Sequence, residues 1–427
     1  MLNMKTTAVR LYGKRDLRLE TFDLPELTDG DILAKVISDT VCMSTYKAAM
    51  QGADHKRVPN DVAKNPVMVG HELCGEILKV GARWQDQFHA GQHFTIQPAL
   101  NDPENPFGTP GYAFHYLGGD ATYIVIPARV MELNCLLPYD GEAYYFGSLA
   151  EPVSCIIGGY HVNYHTTPGV YRHDMGIREG GNLAILAGCG PMGLGAIDYA
   201  LHADRRPSLV TVTDIDESRL SRAKSLFPEE EARKLGITLN YINTGAIADP
   251  VGAMRELTGG KGYDDVFVFA PVKQVVEQAD AIMGFDGCMN FFAGPTDTKF
   301  SAEYNFYNVH YMLTHVAGNS GGNTDDMREA LALAASGRMN PSTMITHVGG
   351  LDAVIDTTLN LPKIPGGKKL IYTHISMPLT ALDELSEKGK TDPVMAELGR
   401  LVEKHNGLWS AEAEKYLLEH AKAITEE

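Results

Sequence analysis

Short β-branched runs, broken by Gly, Pro and Asp, dominate the first 150 residues. Runs at 6–12, 31–38, 72–80 and 122–126 predict strands of an antiparallel, barrel-like unit. The texture changes at Gly181. Residues 182–187 form a continuous apolar run, GCGPMG follows, 194–202 have helical spacing, and a second apolar run at 209–213 precedes the polar helix signal DESRLSRAKSLF. This predicts one β-α-β unit whose strands are covered on both faces. Runs at 266–269 and 288–292 read as further buried strands, each after a helical stretch, and DDMREALALAAS (325–336) reads as a helix with an acidic start. A doubly wound parallel sheet in an α/β chain is the economical solution. The segment GGYHVNYHTTPGVYRHDMGIREG (158–180) is read as a surface excursion between the two units. The tail from Met377 has high charge and helical periodicity, suited to a packed extension or a subunit contact.

Composition narrows the function. At 427 residues, two or three domains are expected, and 44% hydrophobic against 21% charged residues is ordinary globular usage. The net charge of −17 disfavours nucleic acid or an anionic membrane as a partner. No apolar stretch approaches the roughly 20 residues that cross a bilayer, and the opening residues lack the apolar core of a secretory signal, so a cytoplasmic protein is expected. The six cysteines are scattered, with no CxxC, which indicates neither a disulfide framework nor a clustered four-thiolate zinc site; a metal-binding cysteine must act with other ligand types.

Gly188, Gly190 and Gly193, with Pro191 and Met192, form GCGPMG after a predicted strand and at the mouth of a predicted helix. Glycines there serve a tight turn, close approach to a pyrophosphate, and packing of helix on strand. Asp214 follows at the end of the second strand, where an acid accepts hydrogen bonds from ribose hydroxyls. NAD is therefore expected over NADP, because a 2′-phosphate at roughly 4 Å from the carboxylate would cost about 4 kcal/mol in a surface-like dielectric. NADP is admitted if Asp214 turns away and Arg219 or Arg222 takes the phosphate. A glycine-rich turn beside a solvated aspartate is the bland alternative.

Three distant pieces carry ligand chemistry: Cys42 in DTVCMSTYK, His71 and Glu72 in VGHELCGEILKVG, and Glu151 in SLAEPVSC. Thiolate, imidazole and carboxylate together suit zinc with one position open for catalysis. Singly, each is bland: a core cysteine, a surface His-Glu pair, an acid before proline.

The order VCxS, GHExxGEIxxVG, AEP, GxGPMG, TDxDxxRLxxAK and SGRMNPSTMITHVGGLDAVIDT resembles the medium-chain zinc-dependent alcohol and polyol dehydrogenases over roughly residues 5 to 375, nearest the sorbitol dehydrogenase branch. The resemblance implies a Rossmann domain (161–322) inserted into a mainly β, GroES-like catalytic domain. That domain would comprise residues 1–160 and a return at 323–427, with the zinc cleft between domains. It implies Cys42 and His71 as zinc ligands, with Glu72 and Glu151 as candidate carboxylates of which either binds directly. Ser44 matches the hydroxyl that passes the substrate proton to solvent, and Asp214 and Arg219 match adenosine-side contacts. Two departures stand out. The family's structural zinc lobe carries four close cysteines, but QPALNDPENPFGTPGYAFHYLGG has none, so one catalytic zinc and no structural zinc is expected. Met43, Ser44 and Thr45 also replace the Gly-Ser-Asp that often follows the cysteine in this branch.

The implied reaction is hydride transfer between NAD(P) and a polyol or ketose. The segment TYKAAMQGADHKRVP brings Lys47, His55, Lys56 and Arg57 into an otherwise acidic chain, and a phosphate held by Lys47 with Lys56 or Arg57 would make the substrate a sugar phosphate. A solvated charged loop is the plain alternative, and an unphosphorylated polyol the alternative substrate. Rival readings are a zinc-free quinone reductase and a non-catalytic nucleotide-binding protein. A homo-oligomer, dimer or tetramer, is expected, and His310 and His315 fall where such enzymes often build subunit contacts.

Overall fold

In the computed structural model, which describes residues 4–424, the chain divides into two units. The first takes the residues up to Pro152, Asn323–Ala335 and everything from Ile345; the second takes Val153–Gly322 and Ser336–Met344.

The first unit is organised around strand Ile32–Val41, almost every residue of which is buried. Its apolar and β-branched residues face covered surface on both sides. It pairs antiparallel with Cys74–Val80, Tyr123–Ile126 and Lys368–Tyr372. This puts both ends of the chain in one sheet, as the GroES-like resemblance implies. The register builds the site: Val41 faces Lys369, which brings Lys368 beside Cys42, and Ser38 faces Cys74, which brings the preceding His71 and Glu72 to the same strand end.

The tail forms helices Leu385–Lys388, Pro393–Lys404 and Ala411–His420. Helix Pro393–Lys404 starts where Asp392 accepts the N–H groups of Val394 and Met395, with proline at the first helical position. It buries Met395, Leu398, Leu401 and Val402 along one stripe, each worth about 1.5–3 kcal/mol if fully buried. With Trp409 and Leu417 they share one core with Tyr145, Leu149 and Tyr372, so the tail is a packed extension.

The second unit is a parallel sheet in the order Thr238–Asn243, Leu209–Asp214, Asn182–Leu186, Tyr263–Val268, Met283–Phe291, His315–Ala317. The order reverses beside Asn182–Leu186, the switch point of a doubly wound fold. The segment 158–180 differs from a simple surface excursion. Helix Tyr144–Val162 runs into it, and a hairpin of Tyr164–Thr167 and Val170–Met175 follows. His165 in that hairpin is buried between Asp265 and Asp286; burial works to lower its basicity, but the Asp265 carboxylate and the Asp286 backbone carbonyl outweigh it and raise the imidazole above its ordinary value.

Candidate metal centre and dinucleotide site

Donor atoms of Cys42, His71 and Glu72 lie within 4.8 Å of one another; among the described residues no other set of three or more such side chains comes as close. Cys42 follows the last residue of the central strand, Val41, and caps helix Met43–Gln51. His71 and Glu72 follow Gly70, whose φ of 89° is open to glycine, and whose Cβ, were there one, would run into Asp39 and Asp120. The Glu72 N–H donates to Asp39 Oδ1 at 2.8 Å, which fixes the carboxylate's approach.

His71 is oriented from both sides. Its Nδ1 lies 3.3 Å from the Thr45 hydroxyl, and its Nε2 lies 3.2 Å from Ser44 Oγ and 3.4 Å from the Tyr112 hydroxyl. Ser44 Oγ donates to Cys42 Sγ at 3.0 Å. Nε2 and Sγ therefore face the same small space.

The electrostatics show what this space lacks. Burial, reinforced by Glu72 and Glu151, pushes the Cys42 thiol up to about 12, against Lys368 and Ser44. Burial, with Lys368 and Arg57 and against Glu72, pushes His71 down to about 4. Glu72 would be raised by burial, yet Lys368 outweighs it and holds the carboxyl below its ordinary range. Lys368 Nζ donates to both Glu72 oxygens, at 2.5 and 2.7 Å, and the Thr40 hydroxyl donates as well. A buried thiol, a neutral imidazole and a carboxylate are a donor set that a dication suits, since it stabilises the thiolate directly. The residues fit zinc.

Glu151, buried on helix Tyr144–Val162, lies outside the 4.8 Å set, but its charge acts on Cys42, Tyr112 and Lys368. Lys47 is half-buried on helix Met43–Gln51, Lys56 is exposed, and Arg57 is half-buried. Burial, reinforced by Arg57, Lys56 and Lys47, pushes His55 down to about 4. His55 stacks on Tyr112 with ring centroids 5.7 Å apart and an 11° interplanar angle, and Arg57 lies over the same ring at 5.4 Å. The sequence reading missed Tyr112, Lys368, Thr40 and Thr45. The signal for Lys368 was a pair of lysines opening an apolar strand, KKLIY.

In the second unit, a Cβ at Gly193 would run into the Gly188 carbonyl, one at Gly188 into Ile185, and one at Gly190 would meet nothing within 4 Å. Two glycines therefore serve packing, and the third leaves open space at the N-terminus of helix Pro191–His202, with Pro191 and Met192 in its first turn. Asp214 is buried: its Oδ2 accepts the Cys189 N–H at 3.2 Å, and its Oδ1 accepts those of Ile215 at 2.8 Å and Asp216 at 3.1 Å. Arg219 is exposed, while Arg222 donates to the Thr343 carbonyl at 2.9 Å.

Residues 28–134 match the alcohol dehydrogenase GroES-like domain and residues 191–336 the zinc-binding dehydrogenase family. Over nearly the full length the chain is 55% identical to YggP of Escherichia coli (strain K12), covering 97% of each. It is 53% identical to the mannitol-1-phosphate 5-dehydrogenase of Aliivibrio fischeri, covering 97% of this chain and 98% of that one. It is 51% identical to the L-sorbose 1-phosphate reductase of Klebsiella pneumoniae, covering 98% and 99%.

The chain belongs to the zinc-binding medium-chain dehydrogenases.

The fold agrees: 2R,3R-butanediol dehydrogenase from Bacillus subtilis superposes with a TM-score of 0.68 at 22% identity, covering 86% of this chain and 99% of that one. This dehydrogenase is accordingly a zinc-dependent NAD(P) enzyme acting on CH–OH groups, of the polyol and sugar-phosphate type. No helix among its described residues is long and apolar enough to cross a membrane.

Proposed function

We propose that this dehydrogenase interconverts a ketose phosphate and a polyol phosphate, with L-sorbose 1-phosphate and D-glucitol 6-phosphate as the pair and NAD as the preferred nucleotide. The observation that carries the reading is the Arg57 guanidinium over the ring of Tyr112, on which His55 stacks and whose hydroxyl reaches His71. With Lys56 next to it in sequence and Lys47 on the helix that follows Cys42, Arg57 offers a local anion site in a chain of net charge −17. The name of the 51%-identical relative supplies the particular sugar, and that of the 53%-identical relative makes fructose phosphates the competing ketoses.

One zinc per chain would be held by Cys42, His71 and a carboxylate, Glu72 or Glu151. Zinc, when bound, supplies Lewis acidity that polarises the carbonyl and acidifies the carbinol. The Ser44 hydroxyl, within 3.0 Å of Cys42 Sγ, can relay the carbinol proton, accepting it as its own proton passes on towards solvent, and run in reverse for reduction. Lys368 and Thr40 keep Glu72 ionised and oriented. The open edge of Gly190 can admit a pyrophosphate, while backbone after the strands Tyr263–Val268 and Met283–Phe291 borders the nicotinamide end. NAD is favoured because Asp214, with Asp216 two residues on, opposes a 2′-phosphate, and Arg222 is bonded to Thr343.

All six cysteines are free thiols, which suits the cytoplasm. A homo-oligomer is supported by the exposed Phe285, Phe306, Tyr307, Tyr311 and Val316 beside the edge strand His315–Ala317, with Tyr171 fully exposed on the adjoining hairpin.

The test is a matrix of NADH and NADPH oxidation against L-sorbose 1-phosphate, fructose phosphates and the free sugars, with zinc counted per chain. The reading expects a phosphorylated ketose and NADH to dominate, and Cys42→Ser to lose both metal and turnover. Strong preference for a free polyol would overturn the substrate; turnover without zinc would overturn the mechanism.

A further inference from the structure

We propose that Tyr112 is a positioning residue that joins phosphate recognition to the reacting end of the substrate. The inference rests on the ketose-phosphate reading above and adds a residue to it. Tyr112 comes from the cysteine-free segment 97–119, which Arg129 pins by gripping Asp102 with two parallel bonds of 2.8 and 2.5 Å. The ring is 1% exposed and packs in one core with Val9, Leu11, Val41, Val69 and Leu351. It cannot swing without opening a cavity.

Each end of this fixed side chain has a separate task. The hydroxyl lies 3.4 Å from His71 Nε2, the same nitrogen that Ser44 Oγ, the proton-carrying group, approaches to 3.2 Å. The ring face carries His55 at 5.7 Å and the Arg57 guanidinium at 5.4 Å. A guanidinium over an aromatic face is attracted by the ring's quadrupole, which favours one arginine conformer over the others. The rigid phenol thus sets how far the anion-binding guanidinium sits from Ser44 and from the donor set. Were Tyr112 only filler, phenylalanine would serve, and the hydroxyl would be a buried polar group with no reason to face His71.

The test compares wild type, Tyr112→Phe, Tyr112→Leu, Arg57→Gln and the Arg57→Gln/Tyr112→Leu double variant. Kinetics of the zinc-loaded enzymes on L-sorbose 1-phosphate and on free L-sorbose are paired with calorimetric binding of inorganic phosphate to the zinc-free chains. Tyr112→Phe keeps the ring, so phosphate affinity should stay within about twofold of wild type while kcat falls about tenfold on both sugars. Tyr112→Leu unseats Arg57: phosphate binding should weaken about tenfold, and KM should rise for the phosphorylated sugar alone. Adding Arg57→Gln to Tyr112→Leu should then change little. Effects of Tyr112→Leu and Arg57→Gln that multiply, or a Tyr112→Phe enzyme with wild-type kcat, would overturn the inference. Should the leucine variant fail to fold, the isosteric phenylalanine variant still decides the hydroxyl's role. A wild type that binds no phosphate and ignores phosphorylation defeats the ketose-phosphate reading itself, and is recognised before any variant is compared.

Discussion

Replacing Lys368 with methionine keeps the side chain's reach and removes its charge. In the wild type, Nζ lies 2.5 and 2.7 Å from the two Glu72 oxygens, and the side chains are 6% and 1% exposed. Deleting one partner of such a pair costs about 3–5 kcal/mol, because the other charge stays buried and unpaired. The zinc-free variant has one escape: Glu72 can take up a proton. From its ordinary value of 4.5, protonation at pH 7 spans a gap of about 2.5 pH units and costs about 3 kcal/mol, and at pH 5 it costs less than about 1 kcal/mol. The loss of stability is therefore capped near 3 kcal/mol at neutral pH and shrinks as the solution is acidified. The sign follows from linkage: once the lysine is gone, the folded variant binds the Glu72 proton more tightly than the unfolded chain does, so its deficit grows with pH above 4.5. Denaturant unfolding of both zinc-free proteins at pH 5, 6 and 7 reads this directly. Excess zinc should restore much of the loss, since a cation bound to the folded state replaces the missing ammonium. A deficit below about 1 kcal/mol at pH 7, or one independent of pH, would refute this account of the Glu72–Lys368 pair.

Gly190→Ala and Gly193→Ala should separate binding from packing. The first adds a methyl into open space and should lower NADH affinity at wild-type stability; the second drives Cβ into the Gly188 carbonyl and should cost about 1–3 kcal/mol of stability, checked by fluorescence titration and thermal unfolding. Glu414 is raised by burial to about 7, against the Tyr372 hydroxyl and two backbone N–H groups, so its contribution is full below pH 4.5 and lost as pH rises through 7. Glu414→Gln should flatten the stability profile between pH 5 and 8 by about 3 kcal/mol, and an unchanged slope would contradict that. Tyr171→Asp combined with Phe306→Asp should shift the protein to a smaller species in light scattering at unchanged secondary structure; an unaltered mass removes that surface as the subunit contact.

What was legible in the sequence is what local periodicity encodes. The run 182–187, its glycines and the run 209–213 gave the parallel sheet, and each corresponding strand lies within a few residues of its expected place. The donor residues were legible because their types are chemically narrow. Their supporting partners were not. Lys368 stands 296 residues from Glu72 and Tyr112 stands 41 from His71, and only the register of paired strands brings Lys368 in. The segment 158–180 misled for a related reason. Histidine and tyrosine among glycines look solvated, yet His165 is buried because Asp265 and Asp286, 100 and 121 residues on, supply its partners. Buried polar pairing is a tertiary fact with no local signature.

The same logic gives the helical tail of this chain a role. Strand Lys368–Tyr372 presents its two ends on one face, four residues apart. Lys368 holds Glu72, and the Tyr372 hydroxyl donates to Glu414 Oε2 at 2.8 Å while accepting the Trp409 indole N–H at 2.8 Å. Glu414 in turn accepts the N–H groups of Tyr144 and Tyr145, at 2.7 and 3.0 Å, at the start of the helix that carries Glu151. One strand therefore braces both candidate zinc carboxylates, the first directly and the second through a glutamate from the tail. Without the tail, two helix-terminal N–H groups and a tyrosine hydroxyl would lose their shared partner, each at about 1–3 kcal/mol if it stayed buried. A buried polar network holds its geometry only when every member is satisfied, so the tail helps fix the carboxylate geometry even though it supplies no donor to the cluster itself.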